Sequence, residues 1–409
     1  MVRGACKISN YVLSVSKVFC LFLFALLLPR IFVTYVNTKS YNGIPLQKAD
    51  FRLGLENITD DFFSKISKSG NLKCNAALIT NQTGKDQLGR KNTDLLPKKG
   101  ITIKKTLNPQ DVPNNLNKNN LQNIQAIILD MQVTGIRNYE SVNTLFKAID
   151  TAFALDKKII VLDRPNVMGP IVEGPLVKKS LKSKISASPI PLRYGMTLGE
   201  LALFYNNSIL KKPAKLHVVP MKNYARDNNF ADNSVSEISE NITNIFSCYG
   251  YSFLGLLKEV GPFYVGIGTK NAFQLLLLPD KIKFSQLQWQ KLHKILCLYG
   301  VKSKFYTFFD KDKKIHYNGL KIKIENINYT PSFKLLIHVL NFFKNNGVEL
   351  KFSQNFDQEA GTDKVRRFFE NKISWKKLTK HVNKKLYKFY NIASAYFMYK
   401  PFPRIEYLN

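Results

Sequence analysis

The stretch that most constrains this chain runs from Ile124 to Glu200. Two short apolar runs, Ala126 to Asp130 and Lys158 to Asp163, each end in an aspartate followed by a polar loop containing Gly or Pro. Between them, Val142, Leu145, Phe146, Ile149 and Phe153 fall on one face of the segment Tyr139 to Asp156, the period of an amphipathic helix. Strand, helix and strand in that order predict a right-handed parallel crossover. In an open parallel sheet the ligand sits just beyond the carboxyl ends of the strands. Both loops, Asp130-Met-Gln-Val-Thr-Gly-Ile-Arg137 and Asp163-Arg-Pro-Asn166, open on that edge and form the candidate site.

Around this unit, Cys74 to Gly84 reads as a strand ending in an Asn/Thr/Gly loop, Thr93 to Lys99 as a helix and Ile101 to Leu107 as a second strand. A short helix is expected around Asp61 to Ser67. Asn108 to Gln122, rich in Asn and Pro, reads as loop. Val167 to Pro175 is a Gly/Pro loop carrying Glu173. A carboxylate held in an extended loop beyond a sheet edge suits acid–base work, and a solvated loop charge fits the same pattern. Thr197 and Glu200 have the spacing of a capping box at the head of a helix. Lys215 to Met221 closes the first domain, and polar Lys222 to Glu240 marks a boundary.

Beyond it, helices are expected at Phe246–Glu259, Phe284–Tyr299 and Ser332–Lys344, with strands at Ser303–Phe309 and Leu320–Ile327. The basic tail from Thr362 to Met398 reads as helix, with Trp375, Leu378, Val382, Leu386 and Phe389 in one apolar stripe that packs on a core. The fold class is therefore α/β. A Rossmann-like parallel-sheet domain (50–225) and a smaller α+β domain (240–400) are expected to enclose a cleft, behind an N-terminal segment (1–40).

With 409 residues and 45% hydrophobic composition, the chain can build two cores. Its formal net charge of +32 points to an anionic partner, or else to plain lysine enrichment, since the lysines are scattered. No compact Arg-rich motif or recognition helix stands out, and no nucleic acid partner is expected. The five cysteines are widely spaced and the five histidines isolated, which argues against a zinc site, a disulfide framework or any structural metal. No cofactor is expected either: Gly266-Ile-Gly268 lacks the third glycine and the strand-to-helix setting of a dinucleotide fingerprint. At the start, basic residues precede the uncharged run Val18 to Leu28, and a second apolar run reaches Val36 across Arg30. No small-x-small site follows the first run. The segment predicts an uncleaved membrane anchor with the remaining domains exported, a cleaved signal peptide being the second choice.

Several blocks in one order resemble the exo-beta-N-acetylmuramidase (NamZ-like) family. They are Leu78-Ile-Thr-Asn-Gln-Thr-Gly84, Asp130 to Arg137 with Tyr139, Val161-Leu-Asp-Arg-Pro-Asn166, Val172-Glu-Gly-Pro175, and Tyr194-Gly-Met-Thr-Leu-Gly-Glu-Leu-Ala202. Val219-Pro-Met221 with Arg226 continues the series. The resemblance implies release of terminal N-acetylmuramic acid from peptidoglycan-derived glycan, with Glu173 of the Glu-Gly-Pro block as a catalytic carboxylate. It further implies substrate binding by Asn81, Asp130, Gln132, Arg137, Asp163, Arg164 and Asn166. An arginine among them could hold a lactyl carboxylate in bidentate fashion. The chain also departs from the family. Gln110 stands where relatives carry a second glutamate, Tyr194 replaces a histidine, and Ile267 replaces an arginine. Asp111, one position from Gln110, is the residue that could substitute. Two readings follow: a membrane-anchored glycosidase, or a catalytically inactive, basic protein that binds cell wall or another anionic polymer.

Overall fold

Strands that are apolar along their whole length, rather than alternating, belong inside a parallel sheet covered on both faces, and this chain begins with such a sheet. The computed structural model describes residues 50–59, 62, 74–182, 189–227, 238, 242 and 244–409. In order come β1 (Cys74–Thr80), α1 (Asn92–Lys98), β2 (Ile101–Leu107), β3 (Ala126–Asp130), α2 (Glu140–Ala154) and β4 (Lys158–Leu162). Then follow β5 (Ile171–Glu173), β6 (Arg193–Tyr194), α3 (Leu198–Phe204) and β7 (Lys215–Val219). Five strands make one all-parallel sheet in the order β2-β1-β3-β4-β7.

The two-residue period of a strand divides its side chains between two cores. Ala77, Ile79, Ile127, Leu129, Ile159 and Val161 join Val142, Leu145, Phe146 and Ile149 of α2 on one face. Ala76, Leu78, Ala126, Ile128, Ile160 and Leu162 meet Leu96 of α1, Leu55 and Ile58 on the other. The edge strand β2 keeps Lys104 exposed, a common guard against edge-to-edge pairing.

Two segments read as loops are more ordered than expected. In 108–122 the chain makes short helical turns at Pro109–Asp111, Val112–Asn115 and Asn119–Leu121, and buries Val112, Leu116 and Leu121. Prolines opening the first two turns occupy positions where a missing N–H leaves nothing unbonded. Glu173 ends a strand rather than lying in a loop. β5 is the middle of a small sheet, β13-β5-β6, whose outer partner β13 (Arg404–Ile405) comes from the chain's last residues.

The second part is α+β. It contains α4 (Ile245–Leu257), β8 (Val260–Gly261), β9 (Leu275–Pro279), α5 (Gln286–Leu298), β10 (Val301–Asp310), β11 (Ile315–Ile324) and α6 (Ser332–Asn345). It continues through β12 (Lys351–Phe352), α7 (Phe356–Ala360), α8 (Lys364–Phe369) and α9 (Trp375–Ala393) to β13. Its main sheet is antiparallel, β10-β11-β9. The basic tail is two helices, not one: Asn371 takes a left-handed conformation (φ 58°) and Ser374 caps the next helix by accepting the Lys377 N–H. Leu378, Val382, Leu386 and Phe389 of α9 are buried, at about 1.5–3 kcal/mol for each large side chain.

One apolar core runs from Ala77 to Leu408, and Phe51–Asn409 forms a single compact unit. The helix expected at Asp61–Ser67 and the N-terminal apolar segment lie outside the described residues. Among the described residues no helix is long and apolar enough to cross a membrane.

Candidate active site

Strand order fixes where a ligand would enter. From β1 the chain moves outward to β2, then returns past β1 to β3 and continues the other way through β4 to β7. The direction reverses between β1 and β3, and the carboxyl ends of the strands flanking such a reversal are the binding crevice of open α/β sheets. Thr80 pairs with Asp130 at that point, and the loops beginning at Asn81 and Asp130 leave it together.

These loops are cross-linked by polar side chains. Asp130 is fully buried; it accepts hydrogen bonds from Arg164 Nε at 2.6 Å and from Asn92 Nδ2 at 2.8 Å. Arg164, also buried, donates from Nη2 to the Lys85 carbonyl at 2.9 Å, so an ion pair joins the loops after β1, β3 and β4. Gln132 donates from Nε2 to the Pro165 carbonyl at 2.7 Å, and its backbone N–H donates to Thr83 Oγ1 at 2.8 Å. Asn166 donates to the Met196 carbonyl and accepts from the Met168 N–H. Asn81 is half-exposed and accepts from the backbone N–H and hydroxyl of Thr83.

Asp163 is a second hub. It accepts from Thr197 Oγ1 (2.8 Å), Tyr399 Oη (2.7 Å) and the Gly199 N–H (2.8 Å). A side chain at Gly199 would place its Cβ 2.9 Å from Asp163 Oδ2, so only glycine lets the α3 backbone come this close. Burial pushes the Asp163 pKa up to about 6, against the lowering influence of those donors.

The remaining expected site residues fasten the two parts of the chain together. Arg137, fully buried, donates to the carbonyls of Pro175 and Ile190 and, across to the second part, of Glu359 at 2.7 Å. Burial lowers its pKa to about 9. A guanidinium occupied by three main-chain carbonyls does not present the free fork that a lactyl carboxylate would need. Glu173 is likewise a fastener and not an accessible acid. Only 1% exposed, it accepts from Arg193 Nη1 (3.1 Å), from the Ser332 hydroxyl (2.6 Å), and from the backbone N–H groups of Ser332 and Phe333 (3.0 Å each). The carboxylate expected to reach substrate instead neutralises a buried arginine and satisfies the open N–H groups at the head of α6. Glu200 completes the reciprocal cap with Thr197 and pairs with the buried Arg226 at 2.5 Å.

Accessible carboxylates on this edge come from elsewhere. Asp111, after β2, is exposed. Glu140, the first residue of α2, is also exposed, accepts a hydrogen bond from Gln110, and lies within the field of Asp111. The Thr144 hydroxyl donates to the Pro109 carbonyl at 3.1 Å and ties this turn to α2. Partial burial is the largest influence on Glu140 and raises its pKa; the Gln110 amide acts in the opposite sense, and Asp111 adds to the rise. No sequence signal singles out Glu140, because an acid in a helix's first turn is what the helix dipole alone favours. Tyr194, in the position where relatives carry histidine, is wholly buried, and its hydroxyl has no hydrogen-bond partner among the described residues. No group of three or more His, Cys, Asp or Glu among the described residues is placed to hold a metal.

Two family models match most of this architecture. The N-terminal domain of the exo-beta-N-acetylmuramidase NamZ matches residues 111–245, and its C-terminal domain matches 249–399. The chain belongs to the NamZ family. The peptidoglycan beta-N-acetylmuramidase NamZ of Bacillus subtilis (strain 168) is 28% identical over 290 residues, which is 68% of this chain and 68% of that protein. Two crystal structures of DUF1343 family proteins from Bacteroides fragilis NCTC 9343 share the fold. BF0371 has a TM-score of 0.72 at 24% identity, and BF0379 a TM-score of 0.66 at 22% identity; each comparison covers 86% of this chain and 99% of the other. The NamZ match opens at Asp111, so Asp111 and Glu140 fall inside it, whereas Asn81 and Gln110 precede it.

Proposed function

We propose that this chain is a glycoside hydrolase that removes terminal β-linked N-acetylmuramic acid from peptidoglycan fragments. The observation that carries the reading is the match of both parts of the chain, in order, to the two NamZ domains. The relative from B. subtilis, named for peptidoglycan beta-N-acetylmuramidase activity, supports it.

Glycosidases cleave with two carboxyl groups flanking the scissile bond, one protonating the leaving oxygen. Asp111 and Glu140 are the pair we assign to that work. Burial raises the Glu140 pKa, the direction a proton donor needs, and we assign it that role, with Asp111 as the second carboxylate. Asn81, half-exposed beside the β1–β3 reversal, contacts the sugar. Asp130, Gln132, Asp163, Arg164 and Asn166 hold the loops that shape the edge, while Arg137 and Glu173 act by position. The uncharged run Val18 to Leu28 supports export of this activity with a membrane tether.

A chromogenic β-N-acetylmuramide tests the assignment. Turnover should fall by about 10²-fold or more in Asp111→Asn and in Glu140→Gln, and persist in the folded fraction of Glu173→Gln. A parent protein that turns nothing over, yet sediments with peptidoglycan in a salt-sensitive way, would replace this reading with that of an inactive polymer-binding protein, which the net charge of +32 favours.

A further inference from the structure

We infer that the outer face of the antiparallel sheet β10-β11-β9 is a second glycan-binding surface, for strands whose sugars carry carboxylates; the identity of that glycan rests on the function proposed above. One face of this sheet packs on the main core through Val301, Leu320, Ile322, Ile324, Leu276 and Leu278. Side chains alternate across a strand, so the opposite face carries Lys302, Lys304, Tyr306 and Phe308 of β10, and Tyr317, Lys321 and Lys323 of β11. The cluster there comprises Leu275, Leu277 and Tyr317, packed by Tyr264, Tyr306, Phe308 and Ile315, and includes no helical residue. Helix α4 meets this side at one end, where Lys323 Nζ lies 4.4 Å from the centroid of the Phe246 ring.

Two features of this face suit a ligand, although its aromatic residues also cover the buried Leu275 and Leu277. The first is its charge. In the β10–β11 register Lys302 lies opposite Lys323 and Lys304 opposite Lys321, and like charges directly across a ladder are destabilising. Glu325 pairs with both Lys302 (2.7 Å) and Lys323 (3.3 Å). Lys321 donates to Asn271 Oδ1 at 2.6 Å, but neither it nor Lys304 nor Lys270 has an acidic partner among the described residues. Burial chiefly, and then the charges of Lys304 and Lys270, lower the Lys321 pKa. The second is its aromatic stack. Tyr264 lies nearly parallel to Phe308 (centroids 5.1 Å apart, 11° between planes) and to Tyr317 (4.7 Å, 28°).

A glycan with carboxylates complements both features at once. The C–H groups on the face of a pyranose ring are weakly positive and pack on the negative face of an aromatic ring. Muramic acid carboxylates, on every second sugar of such a glycan strand, reach the Lys304/Lys321 and Lys302/Lys323 pairs, two and three same-face pairs along the ladder from Phe308 and Tyr317, at about 7 Å per two residues. Single-stranded nucleic acid, the other polymer that combines stacking with cations, is read by separate rings for successive bases; here the rings are stacked on one another. The outer surface also presents lysine without arginine, which phosphate recognition usually recruits.

The test separates this surface from the catalytic edge. Glycan strands stripped of stem peptides, so that each muramic acid has a free lactyl carboxylate, are titrated into the full-length protein, with neutral chitin oligosaccharides and a poly-dT oligonucleotide as comparators. The stripped strands should bind at least about tenfold more tightly than chitin oligosaccharides of equal length. Lys304→Glu with Lys321→Glu should weaken that binding about tenfold, and Phe308→Ala by a similar factor. Turnover of the small chromogenic muramide should be unchanged in the lysine variant. Equal binding of charged and neutral glycans, preference for poly-dT, or unaltered binding in the double lysine variant would each overturn the inference. Loss of small-substrate turnover in the parent would count against the proposed activity and leave this surface to be judged by binding alone.

Discussion

At the scale of single residues, the carboxylates that the family resemblance marks out are largely structural, and Asp163 gives the sharpest test of that. Its folded pKa, raised to about 6 by burial, exceeds the value of about 3.9 expected when unfolded. Between these values the folded chain binds more protons at this site than the unfolded chain does. Its contribution therefore makes stability fall as pH rises through that window, by about 3 kcal/mol in all, and level off above it. Asp163→Asn keeps an acceptor for the Gly199 N–H but cannot titrate. The difference in urea midpoint, variant minus parent, should thus move in the variant's favour from pH 4 to pH 6 and stay constant from 6.5 to 8; a constant difference throughout would show that burial does not govern this group. The position of Asp163 at a strand end was legible in the sequence, as was the Thr197–Glu200 cap, because both depend on neighbours within a few residues. Its bond to Tyr399, 236 positions away, was not, and nor was the burial of Arg137 among main-chain carbonyls. A motif states which residue type is needed, and only the packing of distant segments decides whether that residue faces solvent or the interior.

Among the elements, the parallel strands and long helices were readable from apolar period and composition, whereas the pieces joining the two parts were not. β5 is three residues long and exists because β13, from the chain terminus, and β6 pair on either side of it; nothing local announces a strand. β9, four leucines and a proline at one edge of its sheet, is a short apolar run of the sort that period alone cannot assign. The junction of β5 with α6 depends on Glu173, whose oxygens receive two backbone N–H groups, a hydroxyl and Arg193. Arg193 spends its other donors on the carbonyls of Met168, Thr330 and Ile327. Removing one partner of such a buried pair strands the other's charge, at about 3–5 kcal/mol. Glu173→Gln preserves size but turns an amide N–H toward the donors of α6, so its unfolding midpoint should drop by an amount corresponding to that range, with kcat per folded molecule close to the parent's. A normal midpoint with kcat reduced a hundredfold would return Glu173 to the chemistry.

For the molecule as a whole, the net charge of +32 has to be reconciled with a substrate site built on two carboxyl groups, Asp111 and Glu140. Charge spread over the entire surface attracts a polyanion at a distance and raises its encounter rate, and it is screened once the Debye length, about 10 Å at 0.1 M salt and 3 Å at 1 M, falls below the spacing of the charges. Contacts at a defined site, made at hydrogen-bond range, are screened far less. The two contributions should therefore separate on salt titration. Raising NaCl from 0.1 to 1 M should weaken association with peptidoglycan sacculi by more than about tenfold, since many lysines act together. The same change should alter kcat/KM for a chromogenic muramide, which carries one lactyl carboxylate, by less than about threefold. Parallel measurements of sacculus sedimentation and small-substrate turnover across that range decide the matter. If both fall together, the cationic field acts at the catalytic edge itself, and the division of labour between a chemical site at the β1–β3 reversal and a basic surface that retains polymer is wrong.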